Sequence, residues 1–160
     1  MTNSTPPLRA VAAPATVIVT AGRFLATAVA TALANLLLHA GPHSLFLRDF
    51  HRAHPAGSEE FVRQLHKTGD QLVAWAMVVT SLSLGLFITT AMRWSNARTL
   101  REGVTLGTLL GVLFWVSVNS AFYASSNLFS LPSALLDTLV SAGCMAASAT
   151  LSAWMLRRGG

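Results

Sequence analysis

Asp137 is the one acidic side chain set well inside an apolar stretch of this sequence, five residues past Pro132 in LPSALLDTLVSAGCMAASATLSAWM. Carboxylates in such surroundings are costly, and where they persist they pair with another polar group, carry a proton or hold a solute. Three more polar side chains fall in comparable places. Asn119 lies late in one apolar run and Asn35 late in another, with His39 one helical turn beyond Asn35. By depth alone, Asp137, Asn119, Asn35 and His39 can form one polar cluster near one surface of a bilayer. Its chemistry is then either mutual hydrogen bonding or a solute or proton site.

The histidines are the second group with chemical potential. All five, His39, His43, His51, His54 and His66, lie in or beside the segment 41–70. Neutral imidazoles ligate zinc, copper and iron, so His51, His54 and His66 are candidate metal ligands. Their spacing argues for a polar interfacial loop instead. Gly41-Pro42 separates His39 from His43, and Pro55 biases His54 away from the α conformation. No histidine stands in the middle of an apolar run, where a haem between helices needs one. The single cysteine, Cys144, excludes an intrachain disulfide and a Cys-x-x-Cys redox pair. Phosphate loops, paired catalytic carboxylates and nucleophile–base–acid sets are missing as well. The sequence thus gives no catalytic residue and implies no cofactor.

These residues need elements to hold them. Of the 160 residues, 52% are hydrophobic and 11% charged, against about 25% charged in an ordinary soluble domain. Four uncharged or nearly uncharged stretches approach the roughly 20 residues that cross a bilayer as a helix. They run over about 22–40, 71–92, 103–124 and 132–155. Gly41-Pro42 is expected to end the first, and Pro132 suits the first turn of the fourth. Trp94, Trp154 and Tyr123 stand at span ends, where amphipathic aromatics sit at headgroup level. The fold class expected is all-α: an integral membrane four-helix bundle, with 1–160 as a single domain.

Orientation follows from the basic residues. Arg9, Arg23, Arg93, Arg98, Arg101, Arg157 and Arg158 fall on one side, seven in all. Arg48, Arg52, Arg63 and Lys67 fall on the other. The richer side is cytoplasmic, which predicts both termini inside and the 41–70 loop outside. Ala32-Leu33-Ala34 resembles a signal-peptide cleavage site, but the apolar run continues through Leu36, Leu37 and Leu38, which favours a retained span. In the loop, SLFLRDFH reads as an interfacial helix, and Ser58 as the N-cap of a second helix carrying Phe61, Val62 and Leu65. The formal charge of +5 is a topology signal; with no solvated basic face, no nucleic-acid partner is implied.

Small residues mark packing faces, because membrane helices associate where backbones approach closely. The third span has Gly103, Gly107 and Gly111, and the first has Gly22, Ala26, Ala30 and Ala34 at the same spacing. The fourth is rich in small residues from Ser141 to Ala153. Spans one, three and four are expected to make the tightest contacts.

Gly107-x3-Gly111, then Trp115, Asn119 and Tyr123, then Asp137 ahead of a small-residue run, resembles small four-helix bacterial inner-membrane proteins of domain-of-unknown-function families. The similarity covers about residues 100–155. It implies a fold and a membrane location, and carries no activity. Three functions follow as expectations. The first is a non-catalytic bundle surrounded by membrane lipids that self-associates or serves as an accessory subunit of a larger membrane complex. The second is a small solute or proton-coupled transporter using Asp137. The third is a metal-binding protein using the loop histidines.

Overall fold

The computed structural model describes residues 19–58, 60, 61, 64 and 73–157. Helix α1 spans Ala21–Pro42, and a π-helical turn, His43–Leu47, joins it to α2, Arg48–Ala53. Helix α3 spans Ala74–Trp94, α4 Leu100–Ser125 and α5 Leu131–Arg157. Among the described residues, four helical segments are long and apolar enough to cross a bilayer, the first running unbroken from Ala21 to Ala53. The protein is an all-α, multi-pass membrane bundle.

The first span departs from expectation at its end. Gly41-Pro42 does not stop it. A proline inside a helix removes one N–H and crowds the preceding turn. The π turn directly after Pro42 widens the helix locally and lets it continue, as such bulges do. The chain therefore stays helical for three more turns before His54 breaks it with φ −127° and ψ 61°.

Other termini follow local chemistry. Thr20 accepts from the Arg23 N–H and caps α1. Asn96, at φ 54°, ends α3 in a Schellman motif: the Ala97 N–H reaches Met92 O at 3.0 Å and the Asn96 N–H reaches Arg93 O at 3.2 Å. Helix α4 then starts on a capping box, with Thr99 accepting from the Glu102 N–H at 3.2 Å and Glu102 accepting from the Thr99 N–H at 2.9 Å. These two devices make the turn from α3 to α4 short and fixed.

Helix α5 is the centre. Along their apolar stretches, 56% of α5 is buried inside the protein and 17% of α4. Helices α1 and α3 pack on each other and both on α5, while α4 lies along α5 and scarcely touches α3. The α4–α5 contact is set by the glycine ladder. A Cβ at Gly103 would lie 2.7 Å from Thr150 Cα, one at Gly107 2.8 Å from Ala146 Cα, and one at Gly111 2.9 Å from Ala142 Cα. Only glycine admits backbones this close.

The face of α1 differs from the expected one. Ala26 is exposed and Ala30 and Ala34 are half-buried, whereas Thr27, Ala28, Thr31, Ala32 and Asn35 are buried. The close crossing is with α3: a Cβ at Gly85 would stand 2.5 Å from Ala28 O and 2.6 Å from Ala32 Cβ. Spans one and three, α1 and α4, both flank α5 and have little direct contact with each other. Alanine spacing alone does not select a face, because alanine is equally content against lipid. The buried threonines were the better marker.

The two ends of the bundle contrast. At one, here the arginine end, Arg98 Nη1 donates to Leu156 O at 3.0 Å. Arg23 donates to Met155 O through both Nε, at 3.1 Å, and Nη2. These last carbonyls of α5 have no partner within their own helix, and cations suit its negative terminus. Arg93 lies over the Phe24 ring at 5.4 Å. At the other, the loop end, His54 O accepts from Ser130 Oγ at 2.7 Å and Ser133 Oγ at 3.2 Å, tying the end of α2 to the start of α5.

Candidate functional site

Asp137 sits in the second turn of α5 and Asn119 in the last third of α4. The glycine ladder brings these helices together, and Asn119 Nδ2 donates to Asp137 Oδ2 at 2.9 Å. The same amide lies 2.9 Å from Thr138 Oγ1 and 3.5 Å from Ala134 O. Thr138 in turn donates to Ala134 O at 2.8 Å. Asn119 is buried and Asp137 half-buried. The carboxylate thus has a neutral donor on one oxygen, and no basic partner among the described residues.

Asn35 does not join this pair. Its Oδ1 accepts from Ser148 Oγ at 3.3 Å, and nearby Cys144 Sγ donates to Leu38 O at 3.2 Å. Ser148 is eleven residues beyond Asp137, about 16 Å along α5 at 1.5 Å per residue. Asn35 is therefore much closer to the middle of the bundle than an end at residue 40 implies. The displacement has one cause: α1 continues through Pro42, so its loop end lies further along the chain.

His39 occupies the level between. Its Nδ1 is 2.9 Å from Asn35 O, the carbonyl one turn back. A carbonyl only accepts, so Nδ1 carries a hydrogen; in the neutral imidazole Nε2 then presents a lone pair. Nε2 is buried and has no hydrogen-bond partner among the described residues. Trp115 of α4 stands opposite, with ring centres 5.7 Å apart and planes at 40°. Its Nε1–H is likewise buried without a partner. Each such group costs about 1–3 kcal/mol when left unsatisfied.

Both rings line a cavity of about 340 Å³ between α1, α3 and α4, with Asn35, Leu36, Ala76, Met77, Thr80, Ser81 and Leu84 as its other walls. It exists because α3 and α4 meet through Phe87 and Phe114, 6.1 Å between ring centres, and leave a gap on the loop side of that contact. An adjoining cavity of about 360 Å³ shares Leu36, His39 and Met77 and is completed by Ala40, His43, Leu47, Asp137, Val140 and Ser141. His39 and Asp137 thus both line this second cavity, though they are not hydrogen-bonded to each other. The expected single cluster resolves into an Asp137–Asn119–Thr138 group, an Asn35–Ser148 bond, and a His39–Trp115 face.

The remaining histidines serve elsewhere. His54 stacks on Phe50 at 4.2 Å and its Nδ1 is 3.0 Å from Phe50 O. The His51 ring lies 5.6 Å from Phe129. The His51 ring, together with the His54 carbonyl, seats α2 on the turn before α5. His66 lies outside the described residues. Among those described, no three His, Cys, Asp or Glu side chains come together as a metal site would need. Ser58 Oγ accepts from the Phe61 N–H at 3.3 Å, a helix-capping bond, while Val62 and Leu65 lie outside the described residues.

Trp115 is the participant that sequence reasoning named only within the resemblance and not as a site residue. Its signal was position: a tryptophan in mid-span, away from the headgroup levels its type prefers, needs a partner for its N–H. Comparison of the chain with protein-family models, with characterised proteins and with solved structures finds no match in any of the three. The resemblance of residues 100–155 to small four-helix bacterial membrane proteins therefore transfers no role to any residue.

Proposed function

We propose that this chain is a non-catalytic protein of a bacterial inner membrane that binds a small solute in the cleft beside His39 and Asp137. Its termini are cytoplasmic, a reading supported by the seven basic residues on one side against four on the other. The cleft then belongs to the outer half of the bilayer. The observation that carries the function is the coincidence of two buried, unpartnered polar atoms with a cavity large enough for a small ligand. Asp137 places a carboxyl group in the adjoining cavity, the kind of intramembrane acid that a proton-coupled carrier uses.

A second reading is a homo-oligomer or an accessory subunit of a larger membrane complex. It is favoured by α4, which has one substantial neighbour and exposes Leu109, Leu113 and Val116. It is weakened by the glycine ladder, whose close-approach face is already filled by α5 within the chain. Labelling with a membrane-impermeant maleimide separates the two readings. In a Cys144→Ser background, Thr80→Cys and Val140→Cys in intact cells react from outside if the cleft is an outward-facing solute site. Leu109→Cys, facing lipid at the other end, does not. Protection of both cleft positions in intact membranes removes the solute-site reading and leaves the subunit reading standing.

A further inference from the structure

The chemistry of the two unpartnered atoms is complementary, and this narrows the ligand. In the neutral imidazole His39 Nε2 accepts, because Nδ1 is committed as donor to Asn35 O. Trp115 Nε1–H can only donate. A carboxylate or phosphate oxygen satisfies Trp115 and leaves the imidazole lone pair facing another acceptor. An ammonium satisfies His39 and leaves Trp115 facing another donor. A hydroxyl does both at once, donating to His39 and accepting from Trp115. Both residues line the same cavity, with their ring centres 5.7 Å apart.

One water has the same dual character, but it does not match the container. The cavity holds about 340 Å³, roughly ten times the 30 Å³ share of a water molecule. Leu36, Met77 and Leu84 give it an apolar wall. The hydroxyls of Thr80 and Ser81 already donate to Ala76 O and Met77 O, both at 2.9 Å. Helices α3 and α4 scarcely touch, and both are apolar enough to span a bilayer, so a gap between them offers an apolar molecule a lateral way in.

Resting on the solute-binding reading above, we propose that this cavity binds a hydroxyl group carried on a compact apolar body, held between His39 Nε2 and Trp115 Nε1. The ligand is a membrane-dissolved alcohol or phenol, with its hydroxyl at the two rings and its body against Leu36, Met77 and Leu84.

The test uses the full chain in lipid nanodiscs with ¹⁵N-labelled histidine, and His39→Phe to assign the resonance. Three probes share one shape: 4-propylphenol, 4-propylcyclohexanol and the methyl ether 4-propylanisole. Before addition, His39 is expected as the neutral tautomer with an unprotonated Nε2. Addition of a hydroxylated probe should move the Nε2 resonance saturably, and the ether should not. A response to the phenol alone assigns an aryl source; a response to both assigns alcohols generally. Trp115→Phe, which keeps the aromatic wall and loses the donor, should weaken binding at least tenfold. The proposal is overturned by an Nε2-protonated tautomer, by equal response to the ether, or by no saturable response to either hydroxylated probe, the outcome expected of a site holding water only. The wild-type comparisons stand even if a variant fails to fold. Maleimide labelling of Thr80→Cys and Val140→Cys is independent of these probes, so loss of the hydroxyl proposal and loss of the solute-site reading are told apart.

Discussion

Asp137 Oδ2 is held by the side-chain amide of Asn119, which is itself buried. The two partners respond differently to substitution. In Asp137→Asn, a carbonyl oxygen can replace the carboxylate oxygen and still accept from Asn119, so stability should fall by less than about 1 kcal/mol, a neutral bond replacing a charged one. In Asn119→Leu, the half-buried carboxylate loses its donor, and the loss should be about 1.5–3 kcal/mol, the range for hydrogen bonds to charged groups. Reversible unfolding in mixed micelles measures both; a larger loss from Asp137→Asn than from Asn119→Leu would show that the charge, not the bond, holds the pair. This pair was legible from depth, since both residues lie near the same end of adjoining spans. Asn35 was not, because its depth depended on where α1 ends. The dual role of His39 was also hidden: the tautomer follows from a backbone bond one turn away, which exists only because the helix there is regular.

At the scale of elements, the contrast between two ladders is informative. Glycine at 103, 107 and 111 has little reason to recur in a helix except close approach, since it costs helix propensity, and all three face α5. Alanine at 26, 30 and 34 carries no such cost, so its spacing was uninformative, and the buried face of α1 lies on Thr27, Ala28, Thr31 and Ala32 instead. Gly85, which stands almost alone in its span, proved to be a crossing point with α1. Gly107→Leu and Gly85→Leu should each destabilise the fold by about 1–3 kcal/mol or more, the range for overpacking a filled site. Ala30→Leu, on a half-buried position off the crossing, should cost under about 0.5 kcal/mol, as substitutions away from tight sites do. Thermal unfolding in detergent compares the three. An Ala30→Leu loss as large as that of Gly85→Leu would return the packing face of α1 to the alanine ladder. Helix ends were legible where their chemistry is local, as at Pro132, and were missed where geometry intervened. Pro42 carries a strong stop signal, but the π turn after it absorbs the proline and the helix runs on.

Across the whole molecule, the arginines serve two purposes. As sequence, Arg23, Arg93, Arg98, Arg101 and Arg157 mark one side of a membrane. In the fold, Arg23 and Arg98 reach the last carbonyls of α5, and Arg93 covers Phe24, so the same residues close the arginine end of the bundle. At the loop end Arg48 and Arg52 are exposed beside Asp49 rather than bound to a helix terminus; that end is joined through His54 O to Ser130 and Ser133, and beside it the cleft stays open. An open cleft at one end and a charged seal at the other is the asymmetry expected of a protein that meets its ligand from one side. Which side that is rests on the positive-inside bias, and the bias is moderate at seven to four. A reporter active only in the periplasm, fused after Ser58, should therefore give signal, and the same reporter fused after Arg98 should give none. Arg23→Glu with Arg98→Glu, which lowers the count from seven to five, should shift part of the population towards the inverted state without abolishing it. Signal from the Arg98 fusion in the unaltered protein, with silence after Ser58, would invert the topology and turn the His39–Asp137 cleft towards the cytoplasm. The hydrogen bonds within the bundle and the gap between α3 and α4 would be unchanged, but a water-soluble reagent added outside would then have no route through the arginine end.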